Sequence, residues 1–321
     1  MPKIVVGVLR GGPSSEYEVS LKTGASVLTH LPEKYVGHDI FISRDGTWHS
    51  QGVPRPLSKI VKKVDVVFNA LHGSYGEDGK VQRLLEHFGV PYTGSGPLAS
   101  AVGMNKMLTK KVYSAHGLKT PQHVFLRGKD ADDAGLIEIF RTFPHPYVVK
   151  PTNAGSSVGV SIVRSFPDFK TAVKKALEHS SAVLIEELIS GREATCGVIE
   201  NFRGKKIHAL SPIEIIHPSK NQFFDYEAKY GGESREICPA NFTLKVKEEI
   251  QNVATIAHNA LHLRHYSRSD FIISPKGVYI LETNTLPGLT PQSLVPKALE
   301  AGGTKFPDFL DHLITLALSR K

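Results

Sequence analysis

Residues 268–284, RSDFIISPKGVYILETN, hold two apolar runs separated by Pro275, Lys276 and Gly277. Apolar runs flanking a short Pro/Gly-containing turn form a β-hairpin, and the length of the turn decides which residues face each other. A two-residue loop pairs Asp270 with Leu281 and puts Asp270 and Glu282 on opposite faces. A three-residue loop with Gly277 in the left-handed conformation pairs Ser274 with Val278 and Asp270 with Glu282. Proline at the first turn position and glycine at the last favour the three-residue loop. Arg268, Asp270, Glu282 and Asn284 then share one face. Opposed carboxylates repel, and a carboxylate at the end of an apolar strand is costly unless a cation meets it. A hard cation such as Mg²⁺ would satisfy this oxygen-rich set. An ion-pair network centred on Arg268 would satisfy it as well.

The rest of the chain is large enough to build on such a hairpin. It has 321 residues, 40% hydrophobic and 22% charged, which suits a globular protein of roughly two or three subdomains. No apolar run approaches the roughly 20 residues of a membrane helix. The opening run IVVGVL at 4–9 reads as a buried strand and not as the core of a secretory signal. Cys196 and Cys238 show no CxxC spacing, so a reducing cytoplasm is the simplest setting. Net charge is +8, but the basic residues are scattered, with KKV and TKKV the densest clusters. That pattern favours solubility and attraction for an anionic ligand over nucleic-acid binding, and neither nucleic acid nor membrane is an expected partner.

Strands at 4–9, 38–43, 64–70 and 90–93, with helices from Glu16 and over 79–88, make an N-terminal parallel α/β domain, residues 1–95. Ser15 and Glu18 fit a capping box for the first helix. A central unit, 96–183, starts with a helical stretch from Ala99 to His116 and continues through strands at 147–150 and 160–163 to a helix at 167–178. The remainder, 184–321, is mixed: strands at 183–189 and 211–216, a helix at 244–261, the hairpin, and a last helix at 306–318. Residues 217–241 are long, polar and aperiodic, as a functional lid or a disordered segment would be.

Three loops carry possible chemistry. KPTNAGSSVG, with Lys150 at its base, is rich in Gly and Ser as phosphate-cradling loops are, though it lies between two strands and a plain surface hairpin fits it too. RGGPSSEYEVS leads from strand to helix, where backbone N–H groups favour anions. Glu16 there could hold an ammonium group or simply complement the helix dipole. LHGSYGEDG follows a strand's carboxyl end, the usual ligand edge of such sheets, and His72 in it is a ligand contact or a turn residue. The other histidines show no metal-ligand spacing.

Taken together, GGPSSEYEVS, HGSYGEDG, MNK, VVKPTNAGSSVGV, VLIEELISGREATC, FFDYEAKY, CPA, SRSDF and LETNTLPGLTPQSLVPKA resemble the D-alanine–D-alanine ligases, a family of ATP-grasp enzymes, nearly end to end. The resemblance implies a two-part ATP-grasp fold after the α/β domain, and ligation of two D-alanines by way of a D-alanyl phosphate for peptidoglycan precursors. ATP and two Mg²⁺, with Mn²⁺ a compatible substitute, are the implied cofactors. A homodimer is compatible with it. By the same resemblance Lys106, Lys150 and Lys229 contact ATP phosphates under a flap that includes Ser157. Glu186, Glu187 and Ile189 belong to the adenine-reading strand, Glu193 is the ribose acid, and Phe223 and Leu281 flank the ring. Asp270, Glu282 and Asn284 match the metal ligands. Glu16, Val19 and His72 match the first D-alanine's site, with Ser156 and Tyr230 in a network reaching Glu16. Arg268 and the Gly288 N–H match the oxyanion donors, and Ser293 and Leu294 the second D-alanine's carboxylate site.

There are departures. Asn105 stands where many relatives have Asp, Glu187 where an adenine-side lysine is common, and Phe224 where Tyr is frequent. A D-alanine–D-lactate ligase is the nearest rival, and Tyr230 speaks against it because such enzymes tend to lack that tyrosine. A non-catalytic nucleotide-binding regulator is the more distant one. Such a protein should have lost Glu16, Arg268 or a metal ligand, and all are present.

Overall fold

The computed structural model describes residues 3–153, 158–217 and 234–319. The first sheet has the order β4-β3-β2-β1-β5. Its strands β1 (Ile4–Gly11), β2 (Tyr35–Ile42) and β5 (Val66–Asn69) run parallel. The run IVVGVL is continuously apolar because helices and loops cover both faces of this strand; Val6, Val8 and Leu9 are fully buried. Two short antiparallel strands, β3 (Trp48–Ser50) and β4 (Val53–Pro54), extend the edge. The segment expected as a strand at 90–93 is not one: a single bridge joins Tyr92 to Val67.

The first helix spans Tyr17–His30, but the Ser15–Glu18 capping box does not form. Glu16 occupies the cap position, its N–H donates to Ser14 Oγ at 3.1 Å, and Glu18 instead meets Arg44 at 3.0 Å. The helical stretch expected from Ala99 to His116 is two helices, Pro97–Met104 and Lys106–Ala115. Asn105 divides them. Its backbone is extended, and its carboxamide accepts from the N–H groups of Met107 and Leu108 at 3.0 and 3.1 Å. Asparagine is a strong N-cap because it offers this acceptor, so the departure from Asp at this position keeps the cap.

The middle sheet has the order β6-β9-β7-β8, with β6 His123–Arg127, β7 Tyr147–Pro151, β8 Ser161–Val163 and β9 Ala182–Glu187. β7 and β8 pair as the expected hairpin, Tyr147 opposite Val163, and residues 154–157 between them are outside the described residues. β9 straddles the division expected at 183/184 and pairs with β6 and β7.

The third sheet has the order β13-β12-β10-β14-β15, with β11 also on β10. Its members are β10 (Arg192–Phe202), β11 (Lys205–Ala209), β12 (Ile213–Ile216), β13 (Arg235–Ile237), β14 (Tyr266–Ser274) and β15 (Gly277–Asn284). β13 lies inside the stretch read as an aperiodic loop, and it pairs Ile237 with Glu214. Residues 218–233 of that stretch are outside the described residues. The hairpin corrects another expectation. Ser274 pairs with Gly277, so the loop has two residues, and the register shifts by a bulge between Asp270 and Phe271. Leu281 is the extra residue. It restores the pairing of Asp270 with Glu282 that the tighter turn alone would have lost.

The N-terminal and C-terminal sheets share a hydrophobic core. Val6, Val8 and Phe68 pack in one cluster with Tyr266, Leu286, Phe309 and Leu310, the last two from the helix Phe306–Leu318. The middle sheet keeps its own core around Tyr147, Val149, Phe169 and Ile185. Among the described residues no helix is long and apolar enough to cross a membrane.

Candidate active site

The bulged hairpin lays its polar face along a cavity of about 700 Å³, a size usual for small-molecule sites. Arg268 donates to both oxygens of Asp270 at 3.0 Å each. Asn284 donates to Asp270 at 3.2 Å, and Thr195 on the neighbouring strand β10 donates to it at 2.6 Å. Glu282 pairs with Lys106 at 3.1 Å. The opposed carboxylates are thus each met by a protein cation. On the hairpin's other face the Thr283 hydroxyl bonds those of Tyr113 and Ser269, each at 2.8 Å, which fixes β14 against β15.

The N-terminal domain closes one end of the cavity. Gly73 has φ +69, and a Cβ there would sit 2.5 Å from Ser14 Oγ and 3.3 Å from Glu16 Oε1, so glycine lets the two loops meet around Glu16. Glu77 accepts from the N–H groups of Gly73 at 2.8 Å and Leu286 at 3.1 Å. Burial and the neighbouring Glu16 charge outweigh those bonds and push its carboxyl up to about 8. His72 is buried and hydrogen-bonded to Thr23 Oγ1 at 2.8 Å. Burial, with Arg268 nearby, lowers it to about 4, so the ring is neutral at pH 7. Val19 lines the same end.

Beyond the Lys106 side of the cavity lies a buried cationic cluster. Glu186, 1% exposed, is met by Lys110 at one oxygen and by Lys150 at the other, the latter at 2.6 Å. Burial alone would raise this carboxyl, but the two lysines hold it down at about 2. Lys106 caps this region through its own backbone, its N–H donating to Thr152 O at 3.1 Å. Glu193 lines the cavity and pairs with His217 at 3.1 Å. Glu187 accepts from the Gln122 N–H at 2.9 Å, and Ile189 is half-buried in the link to β10.

At the floor, Ser293 precedes the helix Leu294–Ala301 without capping it by its side chain. Its hydroxyl bonds Thr290 Oγ1 at 2.8 Å and lies 3.0 Å from where a Cβ on Gly288 would be. Ser293 and Leu294 thus put the start of this helix on the cavity's lining, and a helix start, with its unpartnered backbone N–H groups, is a setting that favours a carboxylate.

The cavity brings together Glu16, Val19, His72, Lys106, Glu193, Arg268, Asp270, Glu282, Asn284, Gly288, Ser293 and Leu294. Lys150, Glu186, Glu187, Ile189 and Leu281 lie beyond its described lining. Ser156, Ser157, Phe223, Lys229 and Tyr230 lie outside the described residues. Glu77, Lys110 and Thr195 were not legible as site residues. Glu77 sits in the quoted loop GEDG among acids that suit a turn, and Lys110 lies four residues after Lys106 on one helical face. That spacing was the available signal. Two carboxylates and a carboxamide on one face are an all-oxygen donor set, which fits a hard divalent cation. Among the described residues no three His, Cys, Asp or Glu side chains gather as a metal cluster.

Two family models match the chain: "D-ala D-ala ligase N-terminus" over residues 54–95 and "D-ala D-ala ligase C-terminus" over 112–315. A D-alanine–D-alanine ligase of Geotalea uraniireducens is 41% identical over 97% of this chain and 95% of its own length. The crystal structure of VanG D-Ala:D-Ser ligase from Enterococcus faecalis matches with a TM-score of 0.87 at 29% identity, over 98% of this chain and 100% of that one. The D-alanyl-alanine synthetase A of Vibrio cholerae matches with 0.86 at 32% identity, over 99% of each chain.

Proposed function

The chain belongs to the D-alanine–D-alanine ligase family and has its ATP-grasp fold, and on that premise we propose that it joins two D-alanines to D-alanyl-D-alanine at the expense of ATP, for peptidoglycan precursors. The observation that carries this reading is the charge layout of one cavity. Acids from the N-terminal domain and Lys106 line it together with the Arg268–Asp270–Glu282–Asn284 face, and Lys150 lies just beyond that lining, within electrostatic reach of Glu282 and Glu193.

The Glu16 carboxylate holds the ammonium of the first D-alanine, with Val19 and neutral His72 shaping the pocket. Held that way, the substrate's carboxylate faces the cationic side, where Lys106 and Lys150 take up ATP phosphate charge. Bound by Asp270, Glu282 and Asn284, one or two Mg²⁺ ions would neutralise charge on the transferring phosphoryl group. The substrate carboxylate attacks the γ-phosphorus, ADP leaves, and a D-alanyl phosphate results. The second D-alanine's carboxylate rests at the Ser293–Leu294 helix N-terminus, which aims its amine at the activated carbonyl. Asp270 holds two N–H groups of Arg268. The remaining ones, with the Gly288 N–H, meet the tetrahedral oxyanion, a contact typically worth about 3 kcal/mol per donor. Phosphate then departs. Free cysteines and the use of the product suit a cytoplasmic setting.

Incubation with ATP, Mg²⁺ and D-alanine tests the proposal. Phosphate and dipeptide should form in equal amounts. Offering D-lactate or D-serine as the acceptor separates the rivals: turnover only with one of these would replace D-alanine as the second substrate.

A further inference from the structure

One lysine of the cationic cluster has no part in the mechanism above. Lys110 is 1% exposed and sits on the helix Lys106–Ala115, which packs through Tyr113 on the third sheet's core. Its ammonium contacts Glu186 and donates to Thr120 Oγ1 at 2.5 Å, and Thr120 donates in turn to Ile280 O at 2.9 Å. Glu186 and Lys150 belong to the middle sheet, on paired strands β9 and β7. Lys110 is therefore a cation from the C-terminal side that grips a carboxylate of the middle sheet. A buried lysine is costly, and a buried ion pair adds little stability over apolar residues of the same size. Its burial at such a cost points to a role beyond packing. The cluster of Lys110, Lys150 and Glu186 carries a net charge of +1. Without Lys110, Lys150 and Glu186 would cancel.

We propose that Lys110 is a positioning residue of the nucleotide site: by taking one oxygen of Glu186 it leaves the Lys150 charge available to the phosphates of ATP. This rests on the ligase reading. Lys110 itself touches no substrate; it acts through Glu186.

The test is nucleotide affinity, measured calorimetrically with ATP or ADP and Mg²⁺ in the full chain. Lys110→Met should weaken ATP binding by about tenfold or more and raise the KM for ATP, leaving the KM for D-alanine within about twofold. Lys110→Arg keeps a cation on the Glu186 oxygen and should bind ATP within about threefold of the parent. ATP affinity of Lys110→Met within twofold of the parent would overturn the proposal, as would a Lys110→Arg variant as weak as Lys110→Met. If Lys110→Met does not fold, Lys110→Gln takes its place under the same limits. A parent that turns over no ATP with D-alanine would sink the ligase reading, whereas a fully active parent with an indifferent Lys110→Met sinks only this inference.

Discussion

Glu186 and Glu77 are the same residue type in two regions of one site, and their surroundings drive them in opposite directions. Glu186, in the middle sheet, is fully desolvated, yet two lysines keep it ionised with its carboxyl near 2. Glu77, in the N-terminal domain, has no cation bonded to it and stands beside another acid, so burial outweighs its N–H and hydroxyl donors and the more distant Arg268, and its carboxyl rises to about 8. Environment, not residue type, sets the role of a buried carboxylate. The contrast runs across the whole site: acids suited to an ammonium line the N-terminal-domain side of the cavity, and a buried cluster of net positive charge suited to a polyphosphate lies beyond its Lys106 side. On the proposed reading, a D-alanine held by its ammonium on the acidic side presents its carboxylate to the cationic side.

The largest effect should come from the face that joins the two sides. Glu282→Gln removes one of the two opposed carboxylates and should lower kcat by about a hundredfold or more with the fold retained, because charge neutralisation at the phosphoryl group is lost. Normal turnover of that variant in Mg²⁺ would break the metal reading. Next come the sides themselves. Glu16→Gln should raise the KM for D-alanine, and Lys150→Met the KM for ATP, by about tenfold each. If either variant shifted both constants together, the division of the site into two sides would fail.

The pH dependence of stability gives smaller effects of defined sign. His72 is held below its ordinary value, from 6.5 to about 4. Its contribution is complete above pH 6.5 and is lost as pH falls from 6.5 towards 4, about 3 kcal/mol in all. Chemical denaturation at pH 7 and pH 4.5 should show that slope in the parent and less of it in His72→Asn. Glu77 has the opposite sign. Its carboxyl stands above its ordinary value, so its contribution is full below pH 4.5 and declines as pH rises from 4.5 towards 8. Glu77→Gln should flatten that decline. A steeper decline in the variant would mean that Glu77 is ionised in the native state.

Much of this was readable in the chain. Period and length were enough for the buried β1 run and the helix Phe306–Leu318, whereas the shared face of Asp270 and Glu282 was expected from a three-residue turn that the hairpin does not have. The device behind that face was not readable, because the bulge at Leu281 compensates a turn one residue shorter than its Pro-Lys-Gly chemistry suggests. β10 escaped because Glu193 and Gly197 interrupt its apolar run, although the strand is paired on both sides and buried for most of its length. Asn105 was noted as a departure from relatives, yet its capping of a second helix needs the backbone break that periodicity smooths over. Glu77 and Lys110 were hidden for a common reason. An acid in a turn and a lysine on a helix look like solvated surface, and only tertiary burial turns them into site residues.

Central to the account is that the first D-alanine's carboxylate, aimed at the cationic side, is the group that takes the phosphoryl. D-Alanine labelled with ¹⁸O in its carboxylate tests this directly. The label's fate is read by mass spectrometry or ³¹P NMR of the released phosphate. If the D-alanyl phosphate forms, each phosphate leaves with one carboxylate oxygen and carries one ¹⁸O per dipeptide made. Unlabelled phosphate released alongside full dipeptide formation would contradict it.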